Sequence, residues 1–133
     1  MIGPAALMEA AVKARTQAYA PYSEFTVGAA LLTEEDHVYT GCNMENSAYS
    51  PSLCAERCAF AKAVSEGERH FKAIAIVGGK RESEPDSPCY PCGVCRQVMQ
   101  DFCDPEHFTI YVMDHGHVTG YLLGELLPAG FKL

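Results

Sequence analysis

Three thiols and a carboxylate stand in two short clusters that could build a hydrolytic metal centre. The first is Cys54-Ala55-Glu56, and about 35 residues on comes Pro91-Cys92-Gly93-Val94-Cys95. A catalytic zinc site takes three protein ligands and keeps its fourth position for water, a count that Cys54, Cys92 and Cys95 satisfy. Glu56 is then free to move protons. All-thiolate ligation favours zinc over hard cations. Three thiolates around a divalent ion leave a net negative charge, which works against acidifying a bound water. The positive ends of two helices would offset it, as would the guanidinium of Arg57, a candidate outer donor to the sulfurs.

This chemistry depends on where the helices begin. Two residues apart in mid-helix diverge by about 200° around the axis. At a helix start the first residue need not be helical, so Cys54 and Glu56 can face one metal. The surrounding pattern supplies such starts. Gly3-Pro4 offers a cap and a first-turn proline, and Leu7, Ala11, Ala14 and Ala18 recur at helical spacing until Pro21, which predicts a helix over 4–19. Residues 26–33 and 37–42 suit strands, separated by Glu34-Glu35-Asp36 as in a hairpin, and a polar loop follows from Asn43 to Ser52. An alanine-rich helix over about 54–66 ends at Gly67 and leads to a buried-type strand at 73–77, giving a β-α-β unit whose neighbouring strands end at the two clusters. Lys80 to Pro91, charged and carrying three prolines, reads as an exposed loop before a helix in which Val94, Val98 and Phe102 share a face. Strands near 108–113 and 117–122 flank the turn Asp114-His115-Gly116. The expected fold class is α/β: one domain over 1–133, a mixed sheet of about five strands with helices on its faces.

Composition narrows the partners. A chain of 133 residues buries roughly two-thirds of its unfolded surface and needs no staples. The net charge is −7, from 17 acids against 10 bases, without a basic run to track a phosphate backbone, which argues against a nucleic-acid partner. No membrane-length apolar run is present, and Glu9, Lys13 and Arg15 interrupt any signal core ahead of Ala18-Tyr19-Ala20, so a cytoplasmic location is expected. Seven cysteines without an export signal read as thiols, some of them metal ligands.

Other readings of the same residues stay open. Cys54 and Cys58, four apart on one helix, could join Cys92 and Cys95 in a closed structural zinc module with no room for water. Glu56 alone is an ordinary first-turn acid favoured by the helix dipole. Arg57 alone is a solvated side chain, and Cys42, Cys58 and Cys103 are small packing groups. Pro88-Cys89-Tyr90-Pro91-Cys92 is itself a P-C-x-x-C. Pairing Cys89 with Cys92 would put Pro91 between the ligands and delete a backbone N–H that could bond a sulfur. Cys92 and Cys95, enclosing Gly93-Val94, are therefore preferred, and Cys89 is left as a spare thiol.

An x-E motif followed by P-C-x-x-C, with histidine or cysteine as first ligand, marks the zinc nucleobase deaminases. The chain adds Tyr19-Ala20-Pro21-Tyr22-Ser23, Phe25-Thr26-Val27-Gly28-Ala29-Ala30-Leu31, Gly41-Cys42-Asn43-Met44-Glu45-Asn46, Cys54-Ala55-Glu56-Arg57, Cys92-Gly93-Val94-Cys95-Arg96-Gln97 and Glu125-Leu126-Leu127-Pro128. In that order these segments resemble the cytidine deaminases of the small, three-cysteine type, from the first helix to the C-terminus. The resemblance implies their three-layer fold, one Zn2+ per subunit, and hydrolytic deamination of cytidine and deoxycytidine in pyrimidine salvage. It implies that Glu56 protonates N3 and then the departing amine, that Asn43 and Glu45 bind the ribose hydroxyls, and that Phe25 packs on the pyrimidine. It also implies a homotetramer whose active sites are completed by neighbouring subunits through Ser47, Tyr49 and Phe131. Four of these residues have a plainer reading: Phe25 as core, Asn43 and Glu45 as turn residues, Phe131 folded onto its own core. The loop up to Pro91, with Cys89, departs from the family pattern. A deaminase of a cytosine-bearing antibiotic such as blasticidin S shares the zinc motifs, but Asn43-x-Glu45 with Tyr49 downstream argues for a ribose. Deaminases of dCMP or tRNA call for basic phosphate-binding residues that the chain lacks.

Overall fold

The largely apolar segment Phe25–Thr33 forms strand β1, and its side chains alternate between two cores. Ala29 and Leu31 face one, Ala30 and Leu32 the other, so the strand is covered on both sides and shows little polar alternation. In this computed structural model, which describes residues 1–85 and 87–133, β1 is the second strand of a five-stranded sheet. Helix α1 (Pro4–Arg15) precedes it. After it come β2 (Val38–Cys42), α2 (Ala55–Ser65), β3 (Phe71–Lys80), α3 (Gly93–Phe102), β4 (Thr109–Asp114), β5 (His117–Leu122) and the short α4 (Leu123–Leu126). The strand order is β2-β1-β3-β4-β5, with only the β3–β4 pair parallel.

α1 covers one face, where Leu7, Met8 and Ala11 meet Ala30, Leu32, Ala73, Ala75 and Val77. α2 and α3 cover the other, where Ala59, Phe60, Cys95 and Met99 pack on Leu31, Ile74, Ile76 and Ile110. The result is the expected three-layer α/β arrangement with a mixed sheet. The strands leading to the two metal clusters are not neighbours as expected. β2 and β3 lie on either side of β1 and are both antiparallel to it, so they run parallel to each other and form a split β-α-β unit. α2 and the loop to α3 therefore leave the sheet from the same end, which is what lets Cys54 and Cys92 approach. Gly41 makes the close packing of α2 on β2 possible: a Cβ there would collide with the Ala55 carbonyl and lie 2.6 Å from the Ala59 nitrogen.

Most boundaries fall within a residue of the sequence expectation, but three features depart from it further. α1 stops at Arg15, not at 19, because the Thr16 hydroxyl bonds back to the Lys13 carbonyl and the Tyr19 backbone is engaged by Asn43 and Glu45 across a parallel bridge. β3 extends beyond 73–77 to Phe71 and Lys80, since β1 offers partners along that whole length. The 80–91 loop is not wholly exposed: Cys89 is half-buried and Pro91 buried, while Asp86 lies outside the described residues. The turn at 114–116 is a tight hairpin in which His115 and Gly116 both have positive φ, 48° and 86°, as a twisted two-residue connection requires. Among the described residues no helix is long and apolar enough to cross a membrane.

Candidate metal centre

Cys54 and Cys92 each occupy the N-cap of a helix in extended conformation, and neither side chain caps its own helix. Both thiols are thus available for a ligand. Cys95 follows in the first turn of α3, fully buried. The Cys54 and Cys92 sulfurs are 3.9 Å apart, those of Cys92 and Cys95 3.5 Å, and all three lie within 4.8 Å of one another. Sulfurs held at 2.3 Å from a tetrahedral zinc stand about 3.8 Å apart, so the triangle fits that ion. Among the described residues no other group of His, Cys, Asp or Glu forms such a cluster. Cys58 lies outside it, with its Cβ against Gly41 of β2, and Cys89 packs its sulfur over Gly78 beside Phe25 and Val27. The thiols that gather with Cys54 are therefore Cys92 and Cys95, and the four-thiolate arrangement is not formed. Burial pushes the Cys89 thiol up to about 12, reinforced by the charges of Glu56 and Cys54.

The cluster concentrates its first negative charge on Cys54. Hydrogen bonding from Cys95, then from Arg57, holds the Cys54 thiol down at about 5, while Cys95, the partner that keeps its proton, is shifted well upward. Arg57 Nη2 lies 3.4 Å from the Cys54 sulfur and 3.4 Å from the Ser52 carbonyl. Its Nε is buried and has no hydrogen-bond partner among the described residues, so the guanidinium keeps a free donor. Glu56, the second residue of α2, is only 5% exposed. Burial pushes its carboxyl up to about 7 and the Cys54 charge acts in the same direction, against its own backbone N–H and Cys95. An acid of that strength beside a metal site can both take and give a proton near neutral pH.

A second group of the expected residues forms one hydrogen-bonded web at the start of β1. The Asn43 side chain behaves like an added piece of strand: Val27 N–H donates to its Oδ1 at 2.8 Å, and its Nδ2 donates to the Phe25 carbonyl at 2.9 Å. Glu45 Oε1 accepts from the backbone N–H groups of Tyr22 (2.9 Å) and Ser23 (3.1 Å), and Oε2 accepts from the Ser23 hydroxyl at 2.5 Å. Ser23 Oγ in turn accepts the Phe25 N–H at 3.0 Å. Phe25, 40% exposed, leans its ring edge towards Gly78 and Cys89. Ser47 Oγ sits 2.7 Å from the Tyr22 hydroxyl. Tyr49 and Phe131 are not enclosed by their own chain: they are 73% and 66% exposed, and Tyr49 holds a positive φ of 62°.

Four further contributors lie within the motif segments but had no role of their own there. Tyr22 and Ser23 supply the donors to Glu45. Arg96 bonds the Pro91 and Leu126 carbonyls, tying the entry to α3 to α4, and Gln97 donates to the Phe131 carbonyl, tying the tail to α3. Nothing in local spacing marks them, because each reaches a partner distant in sequence. Volume alone would also point elsewhere: cavities of about 590 Å3, lined by Arg69, His70 and Lys132, and about 520 Å3, lined by Arg15, Tyr19 and Arg81, contain none of the three clustered cysteines. The donor set, not cavity size, marks the site.

With the geometry in hand, comparison with known proteins defines the class. The zinc-binding region of the cytidine and deoxycytidylate deaminases matches residues 3–111, and the chain belongs to this family. It is 50% identical over 121 residues to a cytidine deaminase of Sporosarcina psychrophila, spanning 90% of this chain and 85% of the relative. The crystal structure of a cytidine deaminase from Burkholderia pseudomallei superposes with a TM-score of 0.88 at 44% identity, covering 98% of this chain and all of that one. A blasticidin-S deaminase of Bacillus cereus is more distant, 30% identical over 125 residues, or 92% of this chain and 87% of its own.

Proposed function

We propose that this chain converts cytidine and deoxycytidine, with water, to uridine and deoxyuridine and ammonia. The observation that carries the reading is a buried acid, Glu56, beside a cluster of three thiols whose spacing suits zinc and leaves a ligand position to spare. Cys54, Cys92 and Cys95 hold one zinc ion per subunit, which supplies, when bound, the positive charge that makes a water nucleophilic near neutral pH. Glu56 accepts a proton from the attacking water and delivers it to N3 of the base while the oxygen adds at C4. A second transfer through Glu56, from the new C4 hydroxyl to the amine, breaks the C4–N4 bond, releases ammonia and leaves the carbonyl of uridine. Arg57 draws charge from the sulfurs.

Phe25 offers the base an apolar surface, and the Asn43–Glu45 pair takes the sugar. That pair, held rigidly by its hydrogen bonds, supports a nucleoside over the antibiotic reading. The exposure of Tyr49 and Phe131 supports a homotetramer in which these residues and Ser47 complete neighbouring sites. Seven cysteines free of disulfides support a cytoplasmic location. Zinc-loaded protein incubated with cytidine, deoxycytidine and blasticidin S, followed by chromatography and ammonia release, tests the activity. Equal amounts of uridine and ammonia, lost on chelation and recovered with zinc, are expected. Turnover of blasticidin S alone would move the assignment to the antibiotic, and light scattering that gives a monomer would refute the shared sites.

A further inference from the structure

We infer that Ser23 is a positioning residue that aims the Glu45 carboxylate at the sugar and ties it to the base platform at Phe25. The inference rests on the nucleoside reading above. A carboxylate offers about four acceptor positions. In Glu45 two, on Oε1, are taken by the backbone N–H groups of Tyr22 and Ser23, and one, on Oε2, by the Ser23 hydroxyl. One position on Oε2 is left for a ligand hydroxyl. The backbone bonds would hold Oε1 with any residue at 23, whereas the placement of Oε2 depends on the serine side chain. That hydroxyl has a defined direction, because its own acceptor side is occupied by the Phe25 N–H.

One side chain therefore joins the carboxylate that reads the sugar to the backbone that carries the aromatic ring. The turn itself is braced independently: Arg81 donates from its backbone to the Glu24 carbonyl and from its side chain to the Ala20 carbonyl, and Lys80 Nζ reaches the Ser23 carbonyl at 3.2 Å. Removing the hydroxyl leaves these braces in place, so the consequence falls on Glu45 and not on the fold. A free glutamate side chain pays rotamer entropy on binding that a clamped one has already lost. Ser23 is also the first cause of a Glu45 carboxyl held below its ordinary value, ahead of the backbone N–H bonds.

The test compares Ser23→Ala and Ser23→Thr in the zinc-loaded full chain. With one charge-assisted hydrogen bond lost, Ser23→Ala should raise KM for cytidine about tenfold while kcat changes less than about threefold, and Ser23→Thr, which keeps the hydroxyl, should restore KM to within about threefold of wild type. Carbon-detected titration of the Glu45 carboxyl provides a readout independent of turnover: its pKa should rise towards the ordinary glutamate value in Ser23→Ala and stay low in Ser23→Thr. An unchanged KM in a Ser23→Ala protein with wild-type thermal stability overturns the inference, as does a Glu45 titration that does not move. If wild type fails to turn over cytidine at all, the nucleoside reading falls, while the titration still decides whether Ser23 holds the carboxylate.

Discussion

Gly41→Ala is the substitution that most directly couples the fold to the metal cluster. A Cβ at this position collides with the Ala55 carbonyl and stands 2.6 Å from the Ala59 nitrogen and 3.0 Å from the Cys58 Cβ. Two of these obstacles are helix backbone and cannot rotate aside. Ordinary contact begins at 3.4 Å, so α2 must retreat from β2 by at least about 0.8 Å, the difference between 3.4 and 2.6 Å at the Ala59 nitrogen, and further at the Ala55 carbonyl. Overpacking of this kind costs about 1–3 kcal/mol. For a chain of this length that lowers Tm by roughly 3–15 °C. The retreat also carries Cys54, at the N-cap of α2, away from Cys92 and Cys95, and metal sites tolerate errors of only about 0.2 Å. Zinc affinity, measured by competition with a chromophoric chelator, should therefore fall with Tm, and kcat/KM by about 100-fold. Gly3→Ala, where an added Cβ meets nothing within 4 Å, serves as the control. A Gly41→Ala protein with unchanged Tm and unchanged zinc affinity would refute the argument that this glycine sets the distance between α2 and the sheet.

Arg57→Ala removes the donor 3.4 Å from the Cys54 sulfur and should weaken zinc binding by about 10–100-fold in the same competition assay. Cys95→Ala should abolish stoichiometric zinc, whereas Cys89→Ala should retain one zinc per chain by elemental analysis, because Cys89 packs on Gly78 outside the cluster. The pair of exposed His37 and half-buried Glu68, 2.8 Å apart, gives a pH signature. His37 is raised from 6.5 by its bond to Glu68, so its contribution is complete below 6.5 and fades as pH rises through its folded value. Glu68 is lowered from 4.5 by His37, then Tyr39, so its contribution is complete above 4.5 and fades as pH falls through its folded value. The stability difference between wild type and Glu68→Gln, followed by urea unfolding, should peak between about pH 4.5 and 6.5; a difference largest above pH 8 would contradict the pairing.

The chemistry of the centre was legible because it is encoded locally. An N-cap residue and its first helical turn are neighbours in sequence, so Cys54, Glu56, Cys92 and Cys95 could be placed from spacing, and Pro91 decided between Cys89 and Cys95. The strands were legible as apolar runs, but their order was not: that β1 separates β2 from β3 depends on pairings such as Ala29 with Gly41 and with Ile76, which no local pattern records. The same holds for the end of α1. Helical spacing continues to Ala18, yet the Tyr19 backbone gains more from pairing with Asn43 and Glu45 than from another helical turn. Ser23 was hidden for a related reason, since its partner Glu45 lies 22 residues away. In each case the missing information was a long-range contact, not a misjudged local preference.

The most direct test of the central claim is uridine formation by Glu56→Gln set beside wild type, with zinc content measured in both. Glutamine preserves the size of the buried side chain and leaves the three thiols untouched, but it cannot carry a proton. The account predicts one zinc per chain in each protein and a fall in kcat of at least about 100-fold for the variant. A zinc-replete Glu56→Gln protein that deaminates cytidine at the wild-type rate would contradict it.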